Sequence, residues 1–140
     1  MHTPEELTTR FRAGGLKVTP QRQCIFRILH DNPTHPTAEA VYALARAEMP
    51  TISLRTVYQT LNDLAGMGEV TVLDLGTGAV RFDPNEGGHH HLVCSECGAV
   101  RDLWADYGAL TVPPGQQQGY EVGEAEVVFR GRCATCRSRS

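Results

Sequence analysis

The sequence predicts an α+β protein with a helical N-terminal module that ends in a β-hairpin and a smaller C-terminal α/β module. Two observations carry this prediction. Amphipathic helical patterns fill the first half of the chain, whereas short strand patterns dominate the second half. The second half also holds two Cys-x-x-Cys pairs, and a chain of 140 residues can support a small second core when a bound metal helps to hold it.

The first two helix patterns have clear boundaries. One covers about residues 4–13 and stops at Gly14, the first of two consecutive glycines. The next begins with Thr19 as a cap and Pro20 at the first helical position, and it continues to about His30.

A third helix is predicted from about Thr37 to Glu48 and is closed by Pro50. Ser53 caps a fourth, which ends at the glycines 66 and 68. Apolar residues recur in this fourth helix at spacings of three and four, which predicts its buried face: Leu54, Val57, Leu61 and Leu64.

Two strand patterns follow, at 69–75 and 79–82, around the turn Gly76-Thr77-Gly78. Short helices followed by a hairpin are the element order of a winged helix-turn-helix, which we assign to residues 1–83. Residues 84–88 have linker composition.

The module predicted for residues 89–140 contains strand patterns at about 90–94, 100–103 and 120–130. The stretch 105–119, with two consecutive prolines, can hold at most a short helix.

Charge is distributed unevenly along the chain. The net charge is −3, yet residues 1–30 carry five Lys and Arg residues against two acids, and residues 69–140 carry ten acids against six bases. The basic front suits phosphate contacts, and the acidic remainder suits cations. Neither a long apolar run nor a signal-peptide pattern is present, so we expect a soluble cytoplasmic protein without membrane contact.

The fourth helix carries side chains that suit the major groove of double-stranded DNA. Arg55, Tyr58, Gln59 and Asn62 project away from its apolar stripe, and these residue types can contact base edges or phosphates. Such a set is also compatible with a solvated helix face. The basic first helices and the hairpin favour DNA binding, with Lys17 and Arg22 as phosphate contacts.

The two cysteine pairs are Cys94/Cys97 and Cys133/Cys136. Their spacing is typical of a structural zinc site, because two thiolates separated by two residues can reach one ion from a tight turn. A redox dithiol and a disulfide formed under oxidation are the alternatives. Neither pair lies in a thioredoxin-like βαβ pattern, which favours zinc.

A second ligand set consists of imidazoles and carboxylates. In a strand, His89 and His91 point to one side and His90 to the other. Together with His35, Asp83 and Asp102 they form a candidate regulatory site that suits Fe²⁺, Mn²⁺ or Zn²⁺. Isolated histidines and aspartates in loops are more often simply solvated.

Six segments together resemble the ferric uptake regulator family over nearly the whole chain. They are Val18-Thr19-Pro20-Gln21-Arg22, His35-Pro36-Thr37-Ala38, Ser53-x-x-Thr56-Val57-Tyr58-x-x-Leu61, Arg81-Phe82-Asp83, His89-x-His91-x-x-Cys94-x-x-Cys97-Gly98, and Cys133-x-x-Cys136. The resemblance implies a homodimeric transcriptional repressor with a C-terminal dimerisation domain, structural zinc on the four cysteines and a regulatory metal at the hinge. Its target would be an AT-rich inverted repeat.

Aspartates at 83 and 102 look more like the peroxide-sensing branch of that family than the iron-uptake branch. In the peroxide-sensing branch, hinge-bound ferrous iron reacts with hydrogen peroxide and a ligating histidine is oxidised, which by resemblance means His35 or His91. The alternative within the family is a simple uptake regulator for iron, manganese or zinc.

Two rivals come from other classes. A hydrolytic metalloenzyme would use the His/Asp set, but the sequence has no His-Glu-x-x-His motif or nucleophile elbow, and five protein ligands leave little room for a substrate. We therefore expect neither catalysis nor a small-molecule substrate. A zinc-stabilised protein-interaction module without DNA affinity is the second rival.

Overall fold

The computed structural model describes residues 1–85 and 89–139. The chain divides into two compact units, Met1–Glu86 and Gly87–Ser140, called here the first and second unit. Residues 86–88 of the predicted linker lie outside the described part of the chain. Within that part, every helix is too short or too polar to cross a lipid bilayer.

The first unit contains the four predicted helices, and the predicted boundaries agree with the structure to within one residue wherever they were specified. They are α1 (Pro4–Ala13), α2 (Pro20–Leu29), α3 (Ala38–Glu48) and α4 (Leu54–Gly66). Each begins after a threonine or serine whose hydroxyl accepts a backbone N–H of the first turn. These caps satisfy donors that have no partner inside the helix, which explains why the boundaries could be predicted.

The helices pack around an apolar core that includes Phe11 and Phe26, whose rings meet edge to face at 4.9 Å. From α4, Val57, Leu61 and Leu64 are fully buried, as predicted, whereas Leu54 is only partly buried. Cys24 also lies in this core.

A short antiparallel hairpin completes the first unit. Strands β1 (Thr71–Leu73) and β2 (Arg81–Asp83) pair with Thr71 opposite Asp83. Both strands are shorter than the patterns predicted. The helices followed by this hairpin form the predicted winged helix-turn-helix.

The second unit is built on a three-stranded sheet of order β4-β3-β5. Strand β3 (His90–Cys94) pairs antiparallel with β4 (Val100–Leu103) and parallel with β5 (Val128–Gly131). A single helical turn, α5 (Ala134–Arg137), follows. The sequence did not predict this turn.

The strand predicted over residues 120–130 is wrong in extent, because β5 begins only at Val128. Tyr120 and Val122 are 77% and 51% exposed. An alternating pattern forms a strand only where a neighbouring strand satisfies its backbone, and β3 pairs with β5 only from His91 to Cys94. The stretch 105–119 contains no helix, in line with the expectation of at most a short one.

Glu69 lies two residues before β1 and links the hairpin to α1 and to the residues that precede α1. Its nearly buried carboxylate accepts hydrogen bonds from the backbone N–H of His2 (2.9 Å) and from His2 Nδ1 (2.7 Å), and it pairs with Arg10 Nε at 2.8 Å. Burial raises the pKa of Glu69, but the His2 hydrogen bonds and the Arg10 charge outweigh it and leave the pKa lowered.

Replacing Glu69 by Gln should lower the free energy of unfolding at neutral pH by about 1–2 kcal/mol, because charge-assisted hydrogen bonds are lost. Since the folded-state pKa lies below the ordinary value of 4.5, this stabilisation is present above that pH and disappears as the pH falls through the folded-state pKa. Urea unfolding across a pH series should show parent and E69Q converging in acid. Glu5→Gln, at an exposed acid of α1, is the control, and a constant gap at every pH would contradict the prediction.

Candidate metal centres

The four cysteines converge within the second unit. Cys94 ends β3, Cys97 follows in the turn, Cys133 caps α5 and Cys136 lies inside it. The sulfur atoms of Cys94 and Cys136 are 3.7 Å apart, as are those of Cys97 and Cys133, and all four lie within 4.8 Å of one another.

These distances fit a zinc ion. A tetrahedron with Zn–S bonds of about 2.3 Å has S–S edges of about 3.8 Å. A disulfide requires sulfur atoms about 2.05 Å apart, so a separation of 3.7 Å describes free thiols. The four cysteines therefore suit a structural zinc ion rather than a disulfide pair.

The polar surroundings of the sulfurs favour ionisation of some but not of all. The backbone N–H groups of Cys97 and Cys133 point at Cys94 Sγ and lower the pKa of that thiol to about 6. A hydrogen bond with the Cys133 sulfur raises the pKa of Cys136 to about 12. Four adjacent thiolates repel one another, and a dication among them removes that penalty.

In the first unit, His35 and Asp83 are neighbours. His35 Nε2 lies 3.6 Å from Asp83 Oδ2, and both side chains are buried. His35 has a φ of +48°, a left-handed conformation that is uncommon for residues other than glycine. The surrounding contacts hold it there, since its carbonyl accepts from Arg81 Nη1 at 3.0 Å and the next carbonyl, of Pro36, accepts from Phe82 N–H at 3.0 Å. Strand β2 thus places the His35 turn beside Asp83.

In the second unit, Asp102 faces two histidines. Its Oδ1 lies 2.8 Å from His89 Nε2 and 3.6 Å from His91 Nε2, and His91 is the register partner of Asp102 across β3 and β4. His90 points elsewhere, because its Nδ1 accepts the Val127 N–H at 2.9 Å. The alternation predicted for the three histidines is observed.

His91 has a further partner that sequence reasoning missed. Its Nδ1 lies 2.6 Å from Glu126 Oε1. No spacing signal links these residues, because they are 35 positions apart and meet only through the pairing of β3 with β5.

The imidazole and carboxylate groups of both units are donors that iron, manganese and zinc accept, and they differ in kind from the thiolates. The two ligand sets are therefore chemically separate. A soft, closed set suits a permanent zinc ion, and a harder set suits an exchangeable ion.

The predicted DNA-reading residues of α4 are on its surface. Arg55, Gln59 and Asn62 are exposed, and Tyr58, also exposed, donates its hydroxyl to Glu39 Oε1 at 2.7 Å. That hydrogen bond raises the pKa of Tyr58, so its hydroxyl stays protonated. Sequence reasoning did not single out Glu39.

The two predicted phosphate contacts differ from each other. Lys17 is exposed. Arg22 is only 16% exposed, pairs with Asp63 Oδ2 at 2.8 Å and lies over the Phe11 ring at 5.4 Å. In the structure Arg22 therefore links α2 to α4.

A winged helix-turn-helix followed by a unit with zinc-type thiolates and an imidazole–carboxylate set defines a metal-responsive transcriptional regulator. The sequence model of the ferric uptake regulator family matches residues 13–111. The chain belongs to the ferric uptake regulator family.

Three relatives illustrate the similarity. The peroxide-responsive repressor PerR of Staphylococcus aureus is 31% identical over 139 residues, which cover 99% of this chain and 94% of the relative. The structure of a zinc-bound manganese uptake regulator is 26% identical with a TM-score of 0.73, covering 94% and 99% of the two chains. The Campylobacter jejuni peroxide stress regulator is 26% identical with a TM-score of 0.61, covering 97% and 100%.

Members of this family are dimeric DNA-binding regulators and not enzymes. The chain is accordingly a metal-responsive regulator of transcription. Membership of this family therefore argues against a hydrolytic metalloenzyme that uses the His/Asp set.

Replacing Cys94 by Ser should reduce bound zinc from about one ion per chain to nearly none and unfold the second unit, because a structural zinc ion supplies folding free energy directly. Elemental analysis and amide NMR spectra measure the two effects. Cys24→Ala is the matched control, since this buried thiol lies in the core of the first unit. Full zinc content in C94S would contradict the assignment.

Proposed function

We propose that the chain is a metal-dependent DNA-binding repressor with one regulatory Fe²⁺ or Mn²⁺ ion, and that it senses peroxide when this ion is Fe²⁺. The ion is bound by His35 and Asp83 of the first unit together with His89, His91 and Asp102 of the second. A homodimer of the chain, joined through residues 89–140, binds an inverted repeat in double-stranded DNA, in the cytoplasm where that DNA lies. In this proposal the hinge is the segment 84–88, of which residues 86–88 lie outside the described part of the chain.

The observation that carries the proposal is that each unit holds an incomplete set of the same kind. His35 with Asp83 offers two ligands, and Asp102 with His89 and His91 offers three. Fe²⁺ and Mn²⁺ accept nitrogen and oxygen donors and usually take more ligands than either set provides. One shared ion satisfies both sets.

A shared ion makes the arrangement of the units depend on metal. It binds only when both sets face it, so it stabilises that arrangement by its differential affinity. Moving the equilibrium from nearly all open to nearly all closed requires about 5.5 kcal/mol. In a dimer, closure sets the distance between the two α4 helices and hence the fit to two half-sites.

Peroxide sensing is supported by two observations. The ligand carboxylates are both aspartates, and the 31% identical Staphylococcus aureus relative is a peroxide-responsive repressor. When bound, ferrous iron supplies the reaction with hydrogen peroxide that adds oxygen to an adjacent imidazole. The side chains of His35 and His91 are buried, the turn of His35 is held through its carbonyl, and the ring of His91 is held by Glu126, so an oxidised ring would be poorly accommodated.

A second candidate is a simple metal-uptake regulator. It is favoured by the similarity to the manganese uptake regulator and by a donor set that iron, manganese and zinc all accept. In this candidate metal occupancy alone controls DNA binding, and no histidine is modified.

DNA recognition is assigned to the exposed face of α4. Arg55, Gln59 and Asn62 have side chains that pair with bases, Tyr58 adds a contact held by Glu39, and Lys17 supplies a phosphate contact. Arg22 supports α4 through Asp63 and reaches phosphate only through its exposed portion.

Mass spectrometry of the protein after peroxide treatment tests the sensing proposal. The iron-loaded chain should gain one oxygen atom on His35 or His91, and DNA binding should fall in proportion to the modified fraction. The manganese-loaded chain is the control and should stay unmodified. Iron-loaded protein that keeps both histidines intact while other residues oxidise would leave only the uptake-regulator candidate.

Replacing His35 or Asp102 by Ala should remove metal-dependent DNA binding and leave the zinc content unchanged, because each variant takes away part of the shared ligand set. Arg55→Ala is the contrasting variant. It should weaken binding by about 1–3 kcal/mol and leave regulatory-metal affinity intact. Fluorescence anisotropy with an operator duplex, with and without Mn²⁺, measures the DNA affinity of the three variants and its dependence on metal. A His35→Ala protein that still responds fully to Mn²⁺ would refute the shared ion.

A further inference from the structure

We propose that Glu126 is a positioning residue that orients His91 for metal binding and thereby raises the affinity of the regulatory site. The inference rests on the proposed function in one respect, since it takes His91 to be a ligand. Glu126 is not among the metal ligands proposed above, and it lies on the segment that leads into β5.

The hydrogen bond between these residues fixes the tautomer of His91. Glu126 Oε1 lies 2.6 Å from His91 Nδ1, and an ionised carboxylate can only accept. Nδ1 therefore carries the proton. The lone pair is left on Nε2, the nitrogen 3.6 Å from Asp102 Oδ1 that faces the candidate site.

The backbone places Glu126 where it makes this contact. The next residue, Val127, accepts the backbone N–H of His91 at 3.1 Å and donates its own N–H to His90 Nδ1 at 2.9 Å. Val128 is then in register with His91. The contact therefore lies directly beside the pairing of β3 with β5, and the backbone of the neighbouring Val127 is held by β3.

Glu126 acts through His91 and is not itself a ligand of the same ion. The two nitrogens of an imidazole point away from each other, so a carboxylate bonded to Nδ1 lies on the far side of the ring from an ion at Nε2. Carboxylates in this position hold the ring and make the ligand more basic, and their loss typically lowers metal affinity about 10–100-fold.

An exposed surface ion pair would contribute little, but this pair differs in one respect. The His91 side chain is only 4% exposed, although Glu126 is 44% exposed. The ring is therefore held inside the unit, and the carboxylate reaches it from the surface. Removing Glu126 leaves a buried Nδ1–H that has lost its charged acceptor.

The affinity of the full zinc-loaded chain for Mn²⁺, measured by competition with a fluorescent chelator, tests the proposal. Glu126→Ala should weaken binding about 10–100-fold. Glu124→Ala removes the same charge from the same exposed segment and should leave the affinity unchanged. Glu126→Gln keeps an acceptor oxygen without the charge and should recover much of the loss. Equal losses of Mn²⁺ affinity in E126A and E124A would mean that the removal of any nearby negative charge has the same effect, and this result would overturn the proposal.

The tautomer of His91 gives a readout that does not depend on the regulatory metal. Long-range ¹H–¹⁵N spectra of the zinc-loaded chain should show His91 with its proton on Nδ1, and E126A should lose that preference while His90 is unchanged. A parent protein with the His91 proton on Nε2 would overturn the inference. Its failure is distinguishable from failure of the shared ion, because His35→Ala reports on the shared ion and Glu126→Ala reports on His91 alone.

Discussion

The geometry of the second unit depends on four sulfur atoms. Its buried apolar residues, within the described part of the chain, are Val93 and Val100 together with Cys94 and Cys136, whereas a continuous apolar cluster fills the first unit. So small a core cannot offset the conformational entropy of ordering three strands, and metal–thiolate bonds supply the difference. Cys94 is also the last residue of β3, the strand that carries His90 and His91 and is preceded by His89. A zinc ion on the four cysteines therefore orders the strand on which these histidines lie.

The two sets of ligands stay separate because their donors differ. Thiolates select zinc strongly, and an imidazole–carboxylate set accepts iron, manganese or zinc according to availability. In the first unit, His35 has a positive φ, and Arg81 and Phe82 fasten its turn to β2. That fastening holds the His35 side chain in place beside Asp83.

Much of the fold was predictable where local chemistry decides it. The helix starts could be predicted because Thr19 and Ser53 cap them, and the meeting of the four cysteines because two thiolates separated by two residues can reach one ion. The last strand was predicted too long because pairing, which extends only from His91 to Cys94, is a tertiary property. Glu126 and Glu39 were missed for the same reason, since each meets its partner across the fold. The charge of Arg22 predicts a phosphate contact, whereas in the structure most of its side chain is buried against the Phe11 ring and in the ion pair with Asp63.

The parallel pairing of β3 with β5 has a consequence for the order of events during synthesis. Thirty-five residues separate Cys97 from Cys133, so the first cysteine pair is synthesised well before Cys133 and Cys136 leave the ribosome. The first unit has its own core and can collapse while those residues are still being added. Newly made chains therefore pass through a stage in which the first unit has folded and the thiols of Cys94 and Cys97 lack the second cysteine pair. The supply of zinc and of reductant after translation then governs how quickly the second unit completes its folding.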